Sequence, residues 1–149
     1  MKLLLNIGNP NYSLKVLTRI KENVYAPFDV KITNSHIRNL NKHIGYEAFK
    51  KETLYVSSKT LWEIMRPIGG KGKHHYHGLA PQDILSALSE IKNSNDVRIS
   101  YDGRYVVITL AKTEFGIPIA IILTPHGNII GDTNTDVARI ITIYPFNKK

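Results

Sequence analysis

The spacing of apolar residues changes once along this chain, near residue 92, and that change predicts most of its layout. Residues 13–23 (SLKVLTRIKEN) set Leu14, Leu17 and Ile20 at helical spacing, and Pro27 ends the segment. Residues 30–32 (VKI) read as a brief strand. Thr33, Asn34 and Ser35 then offer three N-caps for a helix running to about Lys50, with Ile37, Leu40 and Ile44 on its apolar side. Residues 59–65 (KTLWEIM) form another short helix, stopped by Pro67, Gly69 and Gly70. Residues 81–92 (PQDILSALSEIK) open with proline in a first-turn position and carry Ile84, Leu85, Leu88 and Ile91 along one side.

Beyond residue 92 the period falls from 3.6 to 2. Residues 97–101 and 105–111 flank Asp102-Gly103, a strong hairpin signal. Residues 117–123 (IPIAIIL) are the most hydrophobic run and read as the central strand, with Pro118 near its start. A loop is expected over 125–136, followed by a last strand over 137–144 (VARIITIY). Helices first and strands afterwards predict an α+β fold: N-terminal helices packed on a four-stranded antiparallel sheet meander. Residues 1–29 read as a lead-in segment with a short helix, and 30–149 as the functional domain. The 1–13 stretch, with Gly8, Asn9, Pro10, Asn11 and Ser13, reads as turn-prone.

Composition adds little to that layout until the charge is divided. The 149 residues fit a single domain, and with no cysteine neither a disulfide framework nor a thiolate metal site is available. The opening MKLLL is cut short as a signal-like run by Asn6, Gly8, Asn9 and Pro10, and no stretch reaches the ~20 apolar residues of a membrane span. A soluble protein is expected. The net charge is +8. Residues 1–75 carry thirteen Lys or Arg against five Asp or Glu, whereas residues 76–149 carry seven of each. A one-sided positive field of this kind suits a polyanionic partner.

Three constellations carry candidate chemistry. The first is residues 69–78, GGKGKHHYHG. His74, His75 and His77 are too crowded for usual metal-ligand spacing, and no carboxylate lies within five residues of them. Its glycines instead let backbone N–H groups approach an anion, while Lys71 and Lys73 supply charge and Tyr76 offers a ring for a base. A solvated linker is the plain alternative. The second is His36 and His43, on one face of the expected helix about 10 Å apart, able to exchange protons near neutral pH. A half-buried packing role is the alternative for each. The third is the last strand, where Thr142 and Tyr144 share a face with Ala138 and Ile140 by simple alternation. His126, in Pro125-His126-Gly127-Asn128, reads as an ordinary turn residue.

A helix bearing histidine, then HHYHGLAPQDILSAL, a hairpin, GIPIAIIL and a terminal IITIYP together resemble the barnase–EndoU–colicin–RelE nuclease superfamily. The closest likeness is to its phage-head-protein and polymorphic-toxin branch, over about residues 30–146. Thr142 and Tyr144 fit that family's terminal-strand pattern, and His43, with Gly45 soon after, fits its helix histidine. The resemblance implies a metal-independent endoribonuclease with no cofactor, acting on RNA such as tRNA through the substrate's own 2′-hydroxyl. It also implies a secreted or delivered toxin domain checked by an immunity protein or antitoxin. His43 or His36 would serve as acid or base, and Thr142 would donate a hydrogen bond. Lys71, Lys73, His74, His75, Tyr76 and Tyr144 would bind RNA, with Arg104 as a further cation. The central strands carry no glutamate to act as a barnase-like base. The alternatives are a non-catalytic nucleic-acid binder and a delivered toxin of another chemistry, such as ADP-ribosyl transfer.

Overall fold

The structure, a computed structural model, describes residues 3–22, 27–68, 76–100 and 102–147. It corrects the expected architecture. Instead of a four-stranded antiparallel sheet behind N-terminal helices, one seven-stranded mixed sheet runs in the order β1-β2-β3-β7-β6-β5-β4. Strands β4 (Asp96–Ile99), β5 (Tyr105–Lys112), β6 (Pro118–Ile129) and β7 (Asp132–Pro145) pair antiparallel in succession. The sheet then continues through β3 (Thr53–Ser57), β2 (Asp29–Thr33) and β1 (Leu3–Asn6). Sheet pairing comes from partners distant in sequence. The short LLLN and TLYVS runs lacked room to show a period and were outweighed by the turn residues around them.

Helix α1 (Pro10–Glu22), near the helix expected over 13–23, connects β1 to its parallel neighbour β2, a βαβ unit whose β1 and first helical turn stand where a turn-prone stretch was expected. The wholly buried Ser13 ties them together. Its hydroxyl donates to the Asn6 carbonyl and accepts from the Asn6 N–H. The long helix expected from Thr33 to Lys50 is absent. In its place stand a 3₁₀ turn (Ile37–Leu40) and one turn of helix, α2 (Asn41–Ile44). Gly45 ends α2 at φ 94°, and the Asn41 side chain bonds both the N–H and the carbonyl of Phe49 at 2.8 Å, folding the chain back. Helices α3 (Ser58–Ile64) and α4 (Pro81–Ser89) lie close to their predicted places, with a 3₁₀ turn finishing the latter.

The core lies on the sheet face that the helices cover. Val107 and Ile121 pair across β5 and β6, Ile121 and Ile143 across β6 and β7, and all three are fully buried. Leu17, Leu40, Phe49, Leu61, Ile84 and Leu88 close over them from the helical side. The loop expected over 125–136 is instead the far part of a long β6–β7 ribbon, irregular in register and turning at Gly131 (φ 83°).

Strands β3 and β7 share one register pair, Tyr55 with Arg139. Beside it, Arg139 makes a two-pronged bond across β3 to Asp29 of β2, at 2.7 and 2.9 Å. The two side chains are only 14% and 8% exposed. Asp29 also accepts the Ile130 N–H, and Arg139 donates to the Asn128 carbonyl, so the ribbon tip is held as well. A Cβ at Gly127 would approach the Arg139 side chain to 2.7 Å, which is why that position has none. Burial pushes the Asp29 carboxyl up, but the bonds from Arg139 and Ile130 outweigh it and leave it below the ordinary 3.8.

Arg139→Met should therefore cost about 3 kcal/mol in urea unfolding, since it strands an enclosed carboxylate. A depressed carboxyl contributes stability above its unfolded pKa and loses it as pH falls through its folded one. The stability gap between Asp29→Asn and the natural chain should stay level from about pH 7 to 5 and close below pH 3.8. A gap that widened in acid would contradict this assignment.

Candidate functional site

The last strand does not alternate simply. Ile122 pairs with Thr142 but Leu123 pairs with Ile140, so Ile141 is an extra residue in β7. This bulge puts Ile140 and Ile143 together in the core and separates Thr142 and Tyr144 from Ile140. Thr142 and Tyr144 emerge on the other, helix-free face. Two cross-strand rows lie there: Arg98, Val106, Ile122 and Thr142 in one, Asp96, Ile108, Ala120 and Tyr144 in the next. Residues directly opposite one another share a face, so Arg98 of β4 points the same way as Thr142.

Around Tyr144 these residues converge. The His77 ring lies 6.1 Å from the Tyr144 ring, and Phe146 lies 6.5 Å from it on the chain's exit. The Arg98 guanidinium sits 5.3 Å over the Phe146 ring and bonds both oxygens of Asp96, at 3.1 and 3.3 Å. Burial raises the Tyr144 hydroxyl above its ordinary value of 10, against a smaller opposing pull from Arg98. Tyr144 is thus a neutral hydrogen-bond donor at neutral pH.

His77 is brought there by an anchored loop end. The Gly78 N–H bonds the Arg66 carbonyl and the Leu79 N–H bonds the Ile64 carbonyl, fastening residues 78–79 to the end of α3. Tyr76 packs edge-on against Trp62 at 5.9 Å, while Arg66 covers the Trp62 ring at 4.6 Å. The Tyr76 ring is therefore engaged with Trp62. Lys71, Lys73, His74 and His75 lie outside the described residues.

Other expected site residues stand apart. Arg104, beyond the β4–β5 turn, is paired with Asp102 at 3.4 Å. It sits past Tyr105, level with Leu123, whereas Tyr144 is level with Ala120. That separation is about 13 Å along the strand at 3.3 Å per residue, against about 7 Å from the row of Thr142, which is level with Val106. His36 is exposed beside the 3₁₀ turn and makes no side-chain cap. His43 belongs to the segment that reaches the core side: Phe49 packs against Tyr105, and the Tyr46 and Tyr105 hydroxyls bond at 2.8 Å. Burial, then this bond, pushes Tyr105 up to about 12. Among the described residues the enclosed His43 Nε2 has no hydrogen-bond partner. With the long helix broken, the two histidines no longer share a helical face, and Thr142 lies across the sheet from His43. Arg98 is the residue sequence reasoning missed; its register opposite Val106 was the available signal.

No family model matches the chain, and no curated protein or solved structure matches it either.

An enclosed imidazole nitrogen without a partner is a cost to the fold. His43→Leu should keep the shape and raise unfolding stability by about 1 kcal/mol. A loss of stability would show that the Nε2 has a partner in solution, such as an ordered water.

Proposed function

We propose that the protein is a metal-independent endoribonuclease whose reaction takes place on the helix-free face, between His77, Arg98, Thr142 and Tyr144. The observation that carries the reading is the His77 ring set against Tyr144, beside the row that aligns Arg98 with Thr142. Phosphodiester cleavage by an internal 2′-hydroxyl needs three kinds of group: a base at that hydroxyl, positive charge at the phosphorane, and an acid at the leaving oxygen. His77 supplies a group that exchanges protons near neutral pH. Arg98 supplies a fixed cation with a planar fork suited to phosphate oxygens. Thr142 and the neutral Tyr144 supply hydroxyl donors to the charge that develops there.

In the step itself, the 2′-hydroxyl gives its proton to the base and its oxygen bonds to phosphorus. The bond from phosphorus to the 5′-oxygen breaks, and that oxygen takes a proton from the acid. The products are a 2′,3′-cyclic phosphate and a 5′-hydroxyl end. His43 has no place in this scheme, because its Nε2 is enclosed on the other side of the sheet. The lysine- and histidine-bearing stretch 71–75 immediately precedes Tyr76 and His77 in the sequence. The resemblance of residues 30–146 to toxin nucleases supports a delivered effector acting on tRNA in a target cell, restrained by an immunity protein.

Single-turnover cleavage of a total tRNA pool in chelator tests this. His77→Ala should slow cleavage ~10²–10⁴-fold, and Arg98→Gln and Thr142→Val should follow with smaller losses, all with unchanged melting temperature. Retarded but uncut RNA would make the protein a binding module. Intact, unbound RNA would end the RNA reading altogether.

A further inference from the structure

Below the Tyr55–Arg139 pair, β3 and β7 part, and a cleft opens in the gap. Its volume is about 160 Å³. Lys50 and Lys51 line it from the segment that folds back onto Asn41, and Tyr55 lines it from β3. From the β6–β7 ribbon come His126 and Asp136. His126 Nδ1 lies 3.1 and 3.2 Å from the two Asp136 oxygens. A carboxylate can only accept, so Nδ1 carries the proton and the ring is oriented by Asp136. Among the described residues nothing bonds its Nε2.

We propose that this cleft binds a phosphate monoester, either free or at the end of a nucleic-acid strand. Charge points that way. Lys50 and Lys51 form no ion pair among the described residues, whereas the Asp136 charge is directed at the imidazole. The Asp136-oriented His126 imidazole and the Tyr55 hydroxyl add hydrogen-bonding groups beside the two lysines. Size points the same way. The cleft falls short of the ~300 Å³ at which pockets begin to enclose whole drug-sized ligands, so it suits a head group rather than a nucleoside. It shares β6 and β7 with the Tyr144 site but none of its residues, His126 and Asp136 lying toward the far end of that ribbon, so the site stands whether or not the protein cleaves RNA.

The test is titration of the full chain with inorganic phosphate and with AMP, read by the His126 ring resonances and by calorimetry. Both probes should shift those resonances. The double change Lys50→Ala with Lys51→Ala should weaken binding at least tenfold, and Lys50→Arg with Lys51→Arg should restore most of it. Lys112→Ala alters an exposed lysine outside the cleft and should have no effect. A short RNA with a 5′-phosphate should outbind its 5′-hydroxyl counterpart if strand ends are the ligand; equal binding, with AMP still bound, assigns the cleft to free monoesters. Stationary His126 resonances under both phosphate and AMP would overturn the proposal. So would equal weakening by Lys112→Ala, since net charge alone would then explain the binding.

Discussion

The sheet is held together across its middle by one guanidinium. On one side stand β1, β2 and β3; on the other, the antiparallel β4–β7 set, with Tyr55 and Arg139 the register pair between them. So little ladder leaves few backbone bonds to hold the halves together. Arg139 offsets this by reaching past β3 to Asp29, in a pair that is bidentate, nearly buried and joined by the Ile130 N–H and Asn128 carbonyl. An exposed ion pair contributes little to stability, but here each partner would be costly to leave alone. The same clamp has a second consequence. It closes the sheet at one level only, so β3 and β7 can part below it and form the cleft between Lys51 and His126.

A second constraint sets the chemistry of the other face. Without the extra residue at Ile141, strict alternation would put Ile140 on the face of Thr142 and Tyr144, and either the isoleucine or the hydroxyls would be misplaced. The bulge resolves that conflict between core and surface with one residue. Ala120 contributes from the next strand. It is the smallest side chain in the row beside Tyr144 and is fully covered, leaving room for the Tyr144 and Phe146 rings to lie over the sheet with Arg98 above them.

What could be read from the sequence follows from which forces are local. Helices α1, α3 and α4 were legible because their apolar residues repeat within a few turns and proline or glycine marks their ends. The Asp102-Gly103 turn and the Pro118 strand start were legible for the same reason. Strands β1 and β3 were not, because four or five residues carry too short a period, and their partners lie twenty residues or more away. The helix expected through His36 and His43 failed at Asn41, whose side chain binds Phe49 and turns the chain, and at Gly45. Thr142 and Tyr144 were singled out from their motif, but the face they occupy depends on a bulge that only pairing to β6 reveals. His126 was read as a turn residue, since Asp136 is brought beside it by the long ribbon rather than by sequence proximity.

The distribution of charge partners ties the two sites to the composition. Among the described residues every ion pair uses arginine or histidine: Arg38 with Glu47, Arg98 with Asp96, Arg104 with Asp102, Arg139 with Asp29, and His126 with Asp136. No lysine among them is paired. Arg66 is likewise engaged, stacked on Trp62. The arginines are committed to fixed local geometry, as their planar, multi-donor heads favour. The lysines are left to supply the long-range field, and they outnumber acids in the first half of the chain. A field made by unpaired lysines attracts a polyanion without dictating its register. On the proposed ribonuclease reading, register would come from the few oriented groups, Arg98 with Tyr144 on the open face and His126 with Asp136 in the cleft. On that reading, attraction and positioning are divided between two kinds of cation.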